Sequence, residues 1–111
     1  MIRRGDVFLV NLNPVVGSEV GKTRPAIVVQ NDLANRSSPT ITIIPVSSST
    51  ERVFPFQVRL SAGEGGLSQE SKALCEQIRT VSRDRLLERL GRLSQERLDD
   101  IRAALDRHLW F

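Results

Sequence analysis

A single cysteine, Cys75, is the only thiol in this chain of 111 residues. No internal disulfide can form, and a reducing compartment is the expected setting. A lone cysteine of this kind reads as a small buried hydrophobe. Histidine also occurs once, at His108. That count excludes a nuclease with two histidines as acid and base. One His with one Cys also falls short of the three or four N/S ligands of a zinc site. Tyrosine is absent, and four Phe with one Trp are few rings for a base-stacking platform. No stretch approaches the ~20 apolar residues of a membrane span. Arg3-Arg4 is soon followed by Asp6, and Asn11 and Asn13 interrupt the first apolar run, so no signal peptide is read there. A cytoplasmic protein without a membrane partner is expected.

Motifs for nucleotides and metals are missing too. There is no P-loop, dinucleotide fingerprint or nucleophile elbow. Two-metal phosphoryl transfer wants clustered carboxylates, and these are scattered; Asp99-Asp100 reads as the solvated face of a helix. No metal or nucleotide cofactor is expected.

Arginine, by contrast, is abundant. It supplies fourteen of the sixteen basic residues, Lys22 and Lys72 being the others. The planar guanidinium meets phosphate or carboxylate with two parallel hydrogen bonds, so the bias suits an anionic partner. The formal charge is +3 with a pI near 10.0, compatible with nucleic acid. The excess is uneven. Residues 1–60 hold Arg3, Arg4, Lys22, Arg24, Arg36, Arg52 and Arg59 against Asp6, Glu19, Asp32 and Glu51, which is the whole +3. With 40% hydrophobic residues, residues 1–111 read as one domain able to bury a core.

The apolar pattern is mainly β. Strands are expected over 6–12, Pro25–Gln30, 40–46 and Phe56–Leu60. The second is continuously apolar, as in a strand covered on both faces. Pro45 suits an edge or a bulge. Residues 31–39 read as a polar, turn-rich loop, and 71–82 as two short strands or one bent at Glu76-Gln77. Leu86, Leu87, Leu90 and Leu93 have helical spacing, which Gly91 weakens by about 1 kcal/mol. From Ser94, a good N-cap with Glu96 in the first turn, a helix is expected. Leu98, Ile101, Leu105 and Leu109 would form its core stripe. The architecture is a small barrel or sandwich closed by a C-terminal helix.

The stretch from Gly17 to Pro25 carries the chemistry. Two glycines, Lys22 and Arg24 lie in a loop that feeds a β-branched strand. Pro25 biases Arg24 towards an extended backbone at the strand's root, where its guanidinium can meet a phosphate. An ordinary loop with solvated charges is the bland alternative. A hydroxyl cluster, Ser47 to Thr50, ends the third strand; the bland reading there is local bonding to backbone. Such a set can hold a phosphodiester and stabilise charge developing on it. RNA brings its own nucleophile, the 2′-hydroxyl, so cleavage can proceed without metal. Arg24 and Ser47, or a neighbouring hydroxyl, would be the cation and the hydrogen-bond donor.

In this order and spacing the residues resemble the MazF/PemK family of toxin endoribonucleases. The match rests on Arg4-Gly5-Asp6-Val7, the segment from Pro14 to Glu19, and the segment from Arg24 to Asp32. Asn35-Arg36, Pro39-Thr40, Pro45-Val46-Ser47-Ser48 and the segment from Glu76 to Val81 complete it. The resemblance implies an SH3-like barrel with a C-terminal helix, usually a homodimer. It implies metal-independent, sequence-specific cleavage of single-stranded RNA to a 2′,3′-cyclic phosphate and a 5′-hydroxyl. It also implies a cognate antitoxin that occupies the RNA groove. Arg24 falls on the family's catalytic arginine, and Ser47 on a position that usually holds threonine, with Ser48 next in line. Glu19 and the loop Gly17–Lys22, Lys22 included, match a lid beside the RNA, and Gln77 matches a base-contacting position. The resemblance further makes 87–93 a strand in place of the helix its spacing indicates. Two other classes stand beside this reading: a gyrase-poisoning toxin of similar fold, and a non-catalytic RNA-binding barrel. The pairing of Arg24-Pro25 with Pro45-Val46-Ser47 favours the ribonuclease.

Overall fold

The computed structural model describes residues 1–110. Val/Phe-rich β1 (Asp6–Asn11) lies antiparallel to β2 (Thr23–Val28), and β2 to β3 (Thr40–Ser47). Neighbours along these strands face opposite ways. Phe8, Val10, Ala26, Val28, Ile41 and Ile43 therefore meet on one face, and Val7, Ile27, Ile44 and Val46 on the other. Both faces are covered, which accounts for the continuous apolar run of β2. Each fully buried Val or Ile contributes on the order of 1.5–3 kcal/mol.

The remaining elements wrap this centre. β4 (Val58–Leu60) pairs with β5 (Ser71–Ala73), and both β5 and β6 (Arg79–Ser82) pair with β3. β7 (Leu86–Arg92) pairs with β1. The expected barrel is thus a seven-stranded antiparallel sheet in the order β4-β5-β3-β2-β1-β7, with β6 also on β3, closed by a C-terminal helix. Pro45 is not at an edge. It sits inside β3, where the partner changes from β6, paired through Ile43, to β5, paired from Val46. A residue without an N–H is tolerated at that exchange.

Three expectations are corrected. The polar stretch after β2 is not all loop, for α1 spans Asp32–Ser37. The Asn31 side chain accepts from Ala34 N at 2.9 Å, Asp32 lies in the first turn and Arg83 donates to the carbonyls of Asn35 and Ser38 at 2.5 and 2.9 Å. Caps at both ends hold a helix that propensity alone would not. The strand expected from Phe56 begins only at Val58, because Gln57 N bonds back to Phe54 O at 2.9 Å in a turn. The third concerns Leu109.

In the last helix, α2 (Gln95–Leu109), the Ser94 hydroxyl accepts from Arg97 N at 3.3 Å. Ile101 and Ala104 are buried, with Leu98 and Leu105 packed beside them. Leu109, expected in the core stripe, is 52% exposed because the helix has run past the sheet it covers. Cys75, beneath this layer, has no exposed surface. Burial first, then the adjacent Glu76 carboxylate, pushes its thiol up to about 12. It is a neutral apolar filler.

The helical spacing before α2 yields to a strand. Gly91 packs so closely on Gly65 that a Cβ there would lie 2.6 Å from the Gly65 carbonyl carbon. β7 is tied to β1 by Arg89 and Arg92, which reach the buried Asp6 carboxylate at 3.2 and 3.3 Å. Tertiary contacts override the period.

Candidate functional site

The loop between β1 and β2 is built from its own polar side chains. Leu12 N donates to Lys22 O at 2.9 Å, and Lys22 N to Asn13 Oδ1 at 2.9 Å. Lys22 takes a left-handed φ of 66°, uncommon for a residue with a Cβ. Glu19 accepts from Val16 N at 2.5 Å, folding the tip on itself. Val20 N then donates to Gln77 Oε1 at 2.8 Å, fixing the loop to the turn before β6.

Arg24 leaves this loop as the second residue of β2, paired with Val10 of β1. It is half-buried, and its Nε donates to Gly21 O at 2.8 Å. Among the described residues no carboxylate pairs with its guanidinium, whose remaining N–H groups are left for a ligand. The β2–β3 register sets Ala26 against Pro45. The ladder ends there, and Arg24 on β2 and Ser47 on β3 each lie two residues beyond that last pair. Side chains two apart along a strand share a face, so Arg24 lies on the face of Ala26, and Ser47 on that of Pro45, which opposes Ala26. Ser47 is half-buried, and its Oγ accepts from Ser49 N at 3.1 Å. That bond leaves its own O–H free to donate.

Ser48 points elsewhere. It is exposed and, with Arg24, Pro25, Val46 and Ser71, lines a cleft of about 360 Å³ in which Ser47 takes no part. Ser48, and not Ser47, thus shares a cleft with Arg24.

A second cleft, of about 400 Å³, runs under the loop between Ser18 and Glu19 on one side and Gln77 and Arg79 on the other. Gln77 has committed its carbonyl oxygen to Val20, so its NH₂ remains as a donor. Arg79 lies opposite Ile43 in the β3–β6 ladder, and its Nη1 donates to Leu12 O at 3.3 Å. Sequence reasoning gave Arg79 no role, although it stands in the segment from Glu76 to Val81; its place in β6, beside the loop, marks it. Glu76 accepts from Gln57 Nε2 at 2.7 Å through Oε2, while its buried Oε1 has no partner among the described residues. Among those residues no three His, Cys, Asp or Glu side chains converge as for a metal ion, and no helix is long and apolar enough to cross a membrane.

Comparison with known proteins covers nearly the whole chain. A family model described as PemK-like, MazF-like toxin of type II toxin-antitoxin system matches residues 3–109. The endoribonuclease MazF9 of Mycobacterium tuberculosis is 45% identical over 114 residues, covering 98% of this chain and 97% of its own. MazF of Deinococcus radiodurans superposes with a TM-score of 0.86 at 27% identity, covering 99% and 97% of the two chains. A MazE–MazF structure from the same organism matches with a TM-score of 0.77 at 28% identity, covering 97% and 95%.

Proposed function

The chain belongs to the PemK-like, MazF-like toxin family of type II toxin–antitoxin systems, and on that premise we propose that it cuts single-stranded RNA without a metal. What supports the reading is the placement of Arg24 and Ser47, each two residues beyond the last β2–β3 pair of Ala26 with Pro45, together with the absence of a carboxylate partner for Arg24 among the described residues. Arg24 grips the non-bridging oxygens of the scissile phosphate and neutralises the charge that grows there. Ser47 donates its O–H to the same phosphate. The substrate's 2′-oxygen forms a bond to phosphorus as the bond to the 5′-oxygen breaks. The 2′-hydroxyl loses its proton and the leaving oxygen gains one. The products are a 2′,3′-cyclic phosphate and a 5′-hydroxyl.

Lys22 adds a second cation at the loop base. Glu19 and the free NH₂ of Gln77 face the cleft beneath the loop, where they read base edges, and Ser48 contacts RNA from the neighbouring cleft. The active unit is a homodimer, and a cognate antitoxin covers the RNA groove, as a MazE–MazF structure of a relative supports.

The test is incubation of purified protein with a long single-stranded RNA in excess EDTA, followed by mapping of fragment ends. Discrete cuts with cyclic-phosphate ends, absent in Arg24→Ala, are expected. RNA left intact by the wild-type protein overturns the proposal.

A further inference from the structure

Few as the rings are, the fold gathers two of them with the single histidine. In the connection between β3 and β4, Phe54 and Phe56 stack with centroids 5.3 Å apart and planes 3° from parallel. The Arg52 guanidinium carbon lies 4.8 Å from the centre of the Phe54 ring. His108 of α2 tilts against Phe56 at 6.0 Å. A cation, two rings and an imidazole thus form one column, with Arg52 and His108 exposed.

The column is held in place from beneath. Gln57, 8% exposed, accepts from Phe54 N at 3.1 Å and donates to Glu76 at 2.7 Å. Arg107 donates to Pro55 O at 3.3 Å, and Lys72 Nζ to Arg52 O at 2.7 Å. Lys72 is also the residue paired with Ser47 across β3 and β5. A line of cations therefore leaves the Arg24–Ser47 site, passing Lys72 and reaching Arg52 on its ring. Of the acids nearby, Glu70 is taken by Arg59, and no ion pair ties up Arg52 or Lys72 among the described residues.

We propose that this Arg52–Phe54 column, with Lys72, is a second contact for single-stranded RNA, binding nucleotides that flank the cleavage site. The inference rests on the RNA-cleaving reading for its substrate. A base stacks on the flat guanidinium that Phe54 holds in place, and its phosphate meets Lys72 and Arg52. Such contacts are sequence-tolerant, because every base has a π face. The surface adds length dependence, not motif specificity.

The test uses fluorescein-labelled 2′-O-methyl oligouridines of about 20 and about six nucleotides, read by anisotropy. These probes have no free 2′-hydroxyl, so binding is measured whether or not the protein cuts RNA, and failure here is separable from failure of the cleavage reading. Arg52→Ala should weaken the longer probe about three- to tenfold, and the shorter by less. It should also reduce the slope of log K against log salt by about 0.7, one phosphate contact. Phe54→Leu, which keeps the apolar bulk but removes the flat ring, should reproduce the length-dependent loss. Equal affinities for wild type and variants, or equal losses on both probes, overturn the proposal. So does a changed oligomeric state with RNA affinity intact, which would make the column a contact between copies.

Discussion

Val20 and Gln77, 57 positions apart, share a 2.8 Å hydrogen bond from backbone N–H to side-chain carbonyl. One amide thereby ties the β1–β2 loop to the turn before β6 and keeps its NH₂ as a donor. The two roles separate by substitution. Gln77→Ala removes both, whereas Gln77→Glu keeps an acceptor for Val20 and loses the donor. Hydrogen exchange at the Val20 amide should accelerate about fivefold in Gln77→Ala, one hydrogen bond's ~1 kcal/mol, and stay slow in Gln77→Glu. Unchanged exchange in the alanine variant would mean that the loop is fixed by other bonds.

Ser47 and Ser48 pose the next question, since neighbours in sequence face opposite ways along a strand and only Ser48 lines a cleft with Arg24. Ser47→Ala removes the hydroxyl on Arg24's own face, and single-turnover cleavage should slow about 100-fold, as on loss of one transition-state donor. Ser48→Ala should leave the rate within about threefold. Arg24→Ala should abolish cleavage with the fold intact, because among the described residues the side chain's one hydrogen bond is to Gly21 O. Equal losses in the two serine variants would remove the distinction.

Asp32 gives a pH dependence with a definite sign. The Arg4 backbone N–H bonds its carboxylate at 2.7 Å and Asn35 Nδ2 at 3.1 Å, and these bonds hold it below its ordinary value of 3.8. A group depressed on folding stabilises the native state above the unfolded value and loses that effect as pH falls through the folded one. The stability difference between wild type and Asp32→Asn should therefore be constant above about pH 5 and shrink steadily below pH 3.8. Chemical denaturation at several pH values measures it. A gap that persists undiminished into strong acid would exclude the carboxylate as its source.

Much of this was legible in advance because it lies in short-range pattern. The β-branched runs of β1, β2 and β3, the Ser94 cap and the bend at Glu76-Gln77 all declare themselves locally. What was hidden depends on distant partners. α1 is stabilised by Arg83 from beyond β6, and β7 is a strand because Gly91 meets Gly65 and Arg89 meets Asp6. At the site, Arg24 and Ser47 were visible as residue types. The loop bond between Val20 and Gln77, the separation of Ser47 from Ser48 and the place of Arg79 come only from register and loop closure.

Two glycines of one loop should respond very differently to alanine. Gly63 and Gly66 both have left-handed backbones, with φ of 94° and 75°. Nothing lies within 4 Å of a Cβ built on Gly63, so Gly63→Ala carries only the conformational penalty of about 1–2 kcal/mol. A Cβ on Gly66 runs into the Leu90 carbonyl, part of the β7 backbone. That atom cannot turn aside as a side chain would, so β7 must shift away from the loop. Gly66→Ala should cost at least about 2 kcal/mol more than Gly63→Ala, as for overpacking against a rigid neighbour, and should loosen the Asp6 ion pairs that join β7 to β1. Urea denaturation of both variants gives the comparison. Equal destabilisation would mean that the loop yields to the methyl without moving the strand, and that the contact is not what sets the position of β7.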